Sequence, residues 1–255
     1  MNAEARALES LAVVHCRGPD AVDFLQGQLT CDVARLPLGV TQLAACATPQ
    51  GRVIAILRLV RHGDAIDALL PAELAPALIT RLRKFVMRAK VEIERLQGWS
   101  AAWLTPDRAR WPTSTASTHA EPASLAFQHP DGRLVVARPA SSIADPTAEN
   151  RWRAADIAAG LPQILAATTE HFVPQMLNLD LLDAISFTKG CYTGQEIVAR
   201  MESRGAASHR LVGLHFDAPH TGDPPPGAPV LTARQEVGTV TSACHSALAG
   251  AIALA

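Results

Sequence analysis

The chain has 255 residues, of which 48% are hydrophobic and 18% charged; this composition excludes global disorder and allows one large or two to three small domains. The net charge of −1 excludes a bulk attraction to nucleic acid or membrane, so any such affinity needs a local patch. No apolar run approaches the roughly 20 residues that cross a bilayer, and the first residues carry acids rather than a signal peptide, so we expect a cytoplasmic protein with no membrane partner.

The five cysteines are odd in number and widely spread along the chain. This distribution is typical of reduced thiols and not of a disulfide framework, which agrees with a cytoplasmic location. The sequence contains no CxxC motif, and we expect no tightly bound metal.

The first part of the chain predicts an antiparallel sheet with helices on one side. In chain order, hydrophobic periodicity and turn residues predict a helix within 17–33 entered through Gly18, Pro19 and Asp20, a hairpin of strands over 53–60 and 65–71, a helix over 72–89 and a strand over 90–96.

A second, smaller set of elements follows. It comprises strands over 101–105, 124–129 and 133–138, and a helix over 151–160 that begins at Asn150 and ends at Gly160. Beyond residue 205, short strands on either side of the Pro- and Gly-rich stretch 218–229 predict a small β-barrel. We therefore predict an α+β chain with a first domain over 1–97 completed by about 168–205, a second over 98–167, and a C-terminal barrel over 206–255.

The segment KGCYTGQEIVAR (189–200) holds one of only three lysines, the only tyrosine and one of the five cysteines. Nearby cations favour a thiolate, and the candidates beside Cys191 are Lys189, Arg200 and Arg204. A helix that opens at Thr193 would add positive potential from its free N–H groups. A lone cysteine is nevertheless usually a small buried hydrophobe, so the residues alone leave both interpretations open.

The polar part of this segment is suited to a flat heterocycle. The Glu196 carboxylate can accept two parallel N–H bonds, as the edge of a pterin presents them, and Gln195 adds further hydrogen-bonding groups. Tyr192 could stack on such a ring, although a tyrosine is at least as often part of a core.

Residues 189–196 resemble, position by position, the Lys-Gly-Cys-aromatic-Thr-Gly-Gln-Glu signature of the YgfZ-type folate-binding family, which is related to the glycine-cleavage aminomethyltransferase. Supporting segments occur in the order of the family and cover nearly the whole chain: 23–33, 49–59, 82–93, 174–180 and 238–243.

The resemblance implies an aminomethyltransferase-like (GcvT-like) α+β fold with ferredoxin-like portions and a small C-terminal β-barrel. It also implies binding of tetrahydrofolate, or a one-carbon derivative of it, and a role in assembling or repairing iron–sulfur client enzymes, including those that modify tRNA. Carried over to this sequence, Cys191 is the functional thiol and Lys189 its cationic neighbour. The residues expected to line or support the folate site are Tyr192, Gln195, Glu196, Arg200, Gln26 and Gln28.

Two other functions are considered. The resemblance implies that true aminomethyltransferases carry an acidic catalytic residue soon after the second strand of the first unit. The sequence offers only Glu73 there, which we do not expect to be equivalent. The stretch 81–90 has five cations and no acid, which is usually a solvated helix face but could make a weak contact with tRNA. Whether the protein turns over a substrate stays open.

Overall fold

The computed structural model describes residues 8–104, 124–139, 145–203, 207–216, 222–233, 235–246 and 250–255. Within these ranges the chain forms thirteen strands and four α-helices. No helix among them is long and apolar enough to cross a membrane. The predicted cation Arg204 lies outside the described residues.

The first unit is built on a five-stranded antiparallel sheet with the order β2-β3-β4-β1-β5. Its strands are β1 (Leu11–Arg17), β2 (Thr41–Ala47), β3 (Val53–His62), β4 (Ala65–Pro71) and β5 (Glu92–Arg95). The predicted hairpin of β3 and β4 and the predicted strand β5 are confirmed.

Strands β1 and β2 were missed by the sequence analysis. Six of the seven residues of β1 are buried, and five of the seven in β2. Such strands are covered on both faces and show a continuous apolar run instead of the alternation that identifies a half-exposed strand. β1 lies near the centre of the sheet, between β4 and β5, so the missed strand is essential to its order.

Two helices accompany this sheet, α1 (Ala21–Gln26) and α2 (Ala75–Phe85). α2 packs its buried side chains into the main core, as its predicted apolar face requires: Ala75, Leu78, Ile79 and Leu82. α1 is much shorter than the stretch 17–33 in which we expected a helix, and residues beyond Gln26 leave the helical path to contact another segment.

The second unit contains a three-stranded antiparallel sheet with the order β6-β8-β7 and one helix. Its elements are β6 (Trp99–Leu104), β7 (Leu125–Gln128), β8 (Leu134–Pro139) and α3 (Pro146–Ala158). The predicted start of α3 at Asn150 is wrong: Asp145 is the N-cap, and its carboxylate accepts hydrogen bonds from the backbone N–H of Thr147 and Ala148. Gly160 follows the helix with φ = 65°, in agreement with the predicted end.

The last part of the chain forms two small antiparallel sheets, β10-β11 and β12-β13-β9. The strands are β9 (Gly213–Phe216), β10 (Pro229–Leu231), β11 (Glu236–Thr239), β12 (Ser242–Ser246) and β13 (Gly250–Leu254). A separate apolar cluster around Val240, Ala243 and Ala253 holds them together.

A buried group of charged side chains joins the first two units. The carboxylate of Asp156 on α3 accepts hydrogen bonds from Arg58 of β3 at 3.2 Å and from Arg133 at 2.6 Å. Both guanidinium groups also lie over the ring of Trp152, at 5.8 and 4.5 Å from its centroid. Because all these groups are buried, the contact fixes the second unit on one face of the first sheet.

Candidate functional site

The signature segment is connected by hydrogen bonds to the chain that follows α1. The amide of Ser186 donates to the Thr30 carbonyl, and the amide of Thr193 donates to the carbonyl of Gly27. The Thr30 hydroxyl donates to the Ala184 carbonyl and accepts from the Ala45 amide. The segments 26–31 and 184–193, which are far apart in sequence, therefore run together with Cys191 between their contacts.

Lys189 makes the most extensive of these contacts. Its Nζ donates to the backbone carbonyls of Gln26 at 2.6 Å, Leu29 at 2.7 Å and Cys31 at 2.6 Å. The residue is only 8% exposed, and burial lowers the pKa of Lys189 to about 8, against the opposing charges of Cys31 and Asp32. The lysine therefore binds the last carbonyl of α1, that of Gln26, which lacks an intrahelical partner, and two carbonyls of the segment that follows the helix.

Cys191 is on the surface of the molecule. All five cysteines lie in described parts of the chain, and of these Cys191 alone is exposed. Burial raises the pKa of Cys16 and Cys31 to about 12, and that of Cys46 and Cys244 to about 11. The thiol selected from the sequence is thus the one that a reagent, ligand or client protein can reach.

The two glycines that bracket the thiol have different roles. Gly194 has φ = 87°, and a Cβ there would lie 2.6 Å from the carbonyl oxygen of Thr48. Gly190 has open space around it. The glycine whose missing side chain the structure requires is therefore Gly194, which seats the start of α4 (Gln195–Ser203) against the turn between β2 and β3.

α4 carries three of the predicted folate-binding residues. The Glu196 carboxylate accepts a hydrogen bond from Arg200 at 2.6 Å, and their side chains are 79% and 51% exposed. The side-chain oxygen of Gln195 accepts from the backbone N–H of Tyr192 at 3.3 Å. Glu196 and Arg200 therefore form a solvent-facing pair, while Gln195 helps to hold the loop.

The other predicted ligand residues divide into buried and available groups. Tyr192 is only 7% exposed, burial raises its pKa to about 12, and the Lys189 ammonium lies 4.9 Å from its ring centroid. Gln26 donates to the Asp32 carboxylate and accepts from the Ala34 amide. The half-buried Gln28 makes no side-chain hydrogen bond within the described part of the chain. Tyr192 and Gln26 thus already have partners within the protein, whereas Gln28 has free polar groups.

Sequence reasoning missed the partners of Lys189, because backbone carbonyls carry no residue signal. The only hint was that the predicted helix in 17–33 contained Gly27, a poor interior residue. From the sequence we expected Lys189 to act as a cation beside Cys191. The structure shows instead that its three short hydrogen bonds join it to the segment 26–31. A catalytic part for Lys189 stays a prediction.

The basic stretch 81–90 lies at the end of α2 and beyond it. Arg81 reaches the Ala47 carbonyl, next to the turn on which Gly194 packs, and Arg83 donates to the Ile93 carbonyl. Lys84, Arg88 and Lys90 are exposed, together with Phe85 and Met87. These three cations of the stretch are therefore exposed, as is the ring of Phe85, over which the Arg81 guanidinium lies at 5.5 Å from the centroid.

No residue of the signature lines either of two cavities that described residues form. The larger has a volume of about 590 Å³ and lies between residues 171–177 and the C-terminal strands. Its lining is mainly apolar, with Arg52 and Arg210 among the polar exceptions. The smaller, of about 250 Å³, lies between β2 and the turn that joins β7 to β8. Among the described residues, no group of three or more His, Cys, Asp or Glu side chains is placed to hold a metal ion.

Comparison with known proteins identifies relatives along most of the chain. It is 33% identical to the tRNA-modifying protein YgfZ of Pectobacterium atrosepticum, over 85% of this chain and 72% of the relative. It is 32% identical to the protein of that name from Sodalis glossinidius, over 94% of this chain and 80% of the relative. No protein-family model matches.

Among solved structures, the glycine cleavage system aminomethyltransferase T of Bartonella henselae superposes with a TM-score of 0.72, covering 98% of this chain and 78% of that one at 17% identity. At this identity the likeness establishes the fold alone. It confirms the predicted aminomethyltransferase-like α+β fold class.

Proposed function

Since the chain belongs to the YgfZ family, we propose that it is a factor in tRNA modification that acts through the thiol of Cys191, binds tetrahydrofolate and supports iron–sulfur client enzymes. The observation that carries the proposal is that Cys191 is exposed on an anchored loop, whereas the other four cysteines are all buried. An anchored and accessible thiol can be reached by a client protein or a ligand without local unfolding.

Complementation in a host that lacks its own YgfZ tests the role of the thiol. We expect Cys191→Ser to lose the restoration of tRNA modifications made by iron–sulfur enzymes, as measured by mass spectrometry of tRNA nucleosides. Thr188→Ala, which changes an exposed residue of the same loop, is the matched control and should restore them. Full restoration by Cys191→Ser, at equal protein level, would remove the thiol from the mechanism.

The folate part of the proposal has two candidate locations. The exposed Glu196 offers an acceptor and the half-buried Gln28 a free amide. The cavity of about 590 Å³ has the size and apolar lining of small-molecule sites. Its Arg52 and Arg210 already donate to the His171 carbonyl and the Asp180 carboxylate, so the carboxylates of the folate tail would meet their remaining N–H groups. When bound, tetrahydrofolate would supply a carrier for a one-carbon unit.

Calorimetry with tetrahydrofolate separates the two locations. Glu196→Gln should weaken binding about 10- to 100-fold if the carboxylate holds the pterin, since charge-assisted hydrogen bonds contribute about 1.5–3 kcal/mol. Val230→Trp would fill the cavity and abolish binding if the ligand lies there. Absence of any heat or thermal shift with the wild-type protein at millimolar folate would defeat this part of the proposal.

A contact between tRNA and the stretch 81–90 belongs to the same proposal. Exposed cations neutralise phosphates, and the exposed Phe85 offers a face on which a base can stack. We expect the double variant Lys84→Glu/Arg88→Glu to weaken tRNA binding and to flatten its salt dependence. Binding that does not change with either charge reversal would leave this stretch as a solvated helix face.

The alternative, a folate-dependent aminomethyltransferase, is disfavoured by one contact. The carboxylate of Glu73, the only acid near the expected catalytic position, accepts a hydrogen bond from the Ala166 amide at 2.8 Å. Through this hydrogen bond, Glu73 stabilises the loop around residue 166. Incubation with aminomethyl donors and tetrahydrofolate tests the alternative, because formation of methylene-tetrahydrofolate would favour it.

A further inference from the structure

The hydrogen-bonding capacity of the Lys189 ammonium is fully used. A protonated amine has three N–H donors and no lone pair. Three backbone carbonyls, those of Gln26, Leu29 and Cys31, accept from it at 2.6–2.7 Å. With the residue 8% exposed, no donor of the protonated lysine remains for a ligand.

The contacts around this lysine form a single connection between two segments. On one side of Lys189, Ser186 donates to Thr30; on the other, Thr193 donates to Gly27. Its ammonium lies between these two backbone bonds and also faces the buried ring of Tyr192. Removing it would leave the carbonyls of Gln26 and Leu29 without the donor that the structure gives them, which is unfavourable in a low-dielectric environment. The Cys31 carbonyl would keep the Val33 amide as a donor.

We propose that Lys189 is a positioning residue, which fixes the exposed Cys191 on the surface by tying its loop to the end of α1, and that its charge does not activate the thiol. Among the described residues, the other cation predicted beside Cys191, Arg200, is paired with Glu196. The lysine therefore holds the loop of Cys191 in position, and its positive charge is not what the thiol requires.

Three variants distinguish the two roles. Lys189→Met removes the charge and the donors; Lys189→Arg keeps a charge, but its planar guanidinium cannot direct three N–H groups from one atom at three converging carbonyls. Lys84→Met removes an exposed lysine of α2 and is the matched control for the structural measurements.

Hydrogen exchange at pH 7 measures how firmly Lys189 holds its loop against the segment 26–31. We expect protection of the amides of Ser186 and Thr193 to fall at least tenfold in Lys189→Met and to fall also in Lys189→Arg, while Lys84→Met keeps the wild-type values. Unchanged protection in Lys189→Met would overturn the proposal. If Lys189→Met does not fold, Lys189→Arg alone tests the proposal. Wild-type protection of the two amides in Lys189→Arg would then overturn it.

Alkylation of Cys191 with iodoacetamide over a range of pH reports the ionisation of the thiol. The proposal expects the midpoint of this pH profile to be the same in the wild type and in both Lys189 variants. A midpoint that moves to higher pH in Lys189→Met and returns in Lys189→Arg would show that the charge activates the thiol, and would overturn the proposal.

The functional part of the inference depends on the proposed function of Cys191. In the complementation assay, both Lys189 variants should lose tRNA modification, and the arginine should not rescue it. Should Cys191→Ser prove fully active, the proposed function fails, while the exchange and alkylation results still decide the role of Lys189.

Discussion

Gly194 lies directly against Gly51: a Cβ on Gly194 would be 3.2 Å from the Gly51 Cα, and one on Gly51 would be 2.8 Å from the Ile197 Cβ. Both glycines have positive φ, at 87° and 71°. The start of α4 and the turn between β2 and β3 can approach so closely only because neither residue carries a side chain. This contact places the helix that follows Cys191 on the first sheet.

The first prediction concerns the two glycines of the signature. Gly194→Ala should lower the free energy of unfolding by about 2 kcal/mol or more, because the new methyl group meets the Thr48 carbonyl and the positive φ is strained. Gly190→Ala, in open space, should change it by no more than about 0.5 kcal/mol. Urea unfolding of both variants measures the difference; equal effects would contradict the assignment of the close contact to Gly194.

The second prediction concerns the buried charges between the units. Asp156→Asn should destabilise the protein by about 3–5 kcal/mol, because the buried carboxylate that Arg58 and Arg133 share would be lost, and Arg133 alone would keep a second one, that of Asp131. Asp131 provides the other carboxylate that contacts Arg133, and its side chain is 27% exposed. Asp131→Asn should therefore lower the free energy of unfolding by about 1 kcal/mol or less. Chemical denaturation checks both values, and a loss below 1 kcal/mol for Asp156→Asn would be inconsistent with this account.

The third prediction concerns the selectivity of thiol labelling. Native iodoacetamide at pH 8 should modify Cys191 alone, because a buried thiol with a pKa of about 11 is ionised in only about one molecule in a thousand at that pH. Peptide mass spectrometry should find one adduct in the wild type and none in Cys191→Ser. Labelling of Cys244 at a comparable rate would show that the C-terminal strands open readily.

The fourth prediction concerns the pH dependence of stability. His15 Nδ1 lies 2.7 Å from the Asp67 carboxylate. Burial alone lowers the pKa of His15, but the hydrogen bond and charge of Asp67 outweigh it and raise the pKa above the usual 6.5. The resulting stabilisation is complete below pH 6.5 and is lost as the pH rises through the raised pKa.

His62, also next to Asp67, has the opposite effect. Burial lowers the pKa of His62, and neither ring nitrogen has a hydrogen-bond partner among the described residues. Stability is therefore lost as the pH falls from 6.5 toward this lowered pKa. Together the two histidines give maximal stability near pH 6.5.

Urea unfolding between pH 5.5 and 8.5 tests this pair of effects. Asp67→Asn should remove the decline in stability on the alkaline side, because the hydrogen bond and charge that raise the pKa of His15 are then lost. His215→Asn, an exposed histidine of β9, is the control and should preserve the wild-type profile. An alkaline decline that persists in Asp67→Asn would assign it to another group.

Local elements could be predicted where the chain itself supplies the pattern. The β3–β4 hairpin and α2 were predicted because turn residues and apolar periodicity are local signals. β1 was missed because it is buried along nearly all of its length. α1 was predicted too long: it ends at Gln26, and the carbonyls of Leu29 and Cys31 beyond it accept from the distant Lys189, a contact that no local pattern announces.

The sequence by itself determined the signature, its thiol and the α+β character of the chain, because residue types and spacing carry that information. Only the tertiary structure decided where Lys189 points, which glycine is indispensable and which of the predicted ligand residues remain accessible. The physical reason is that these depend on backbone carbonyls and turns over a hundred positions away, such as Cys31 from Lys189 and Thr48 from Gly194, and packing alone brings such groups together.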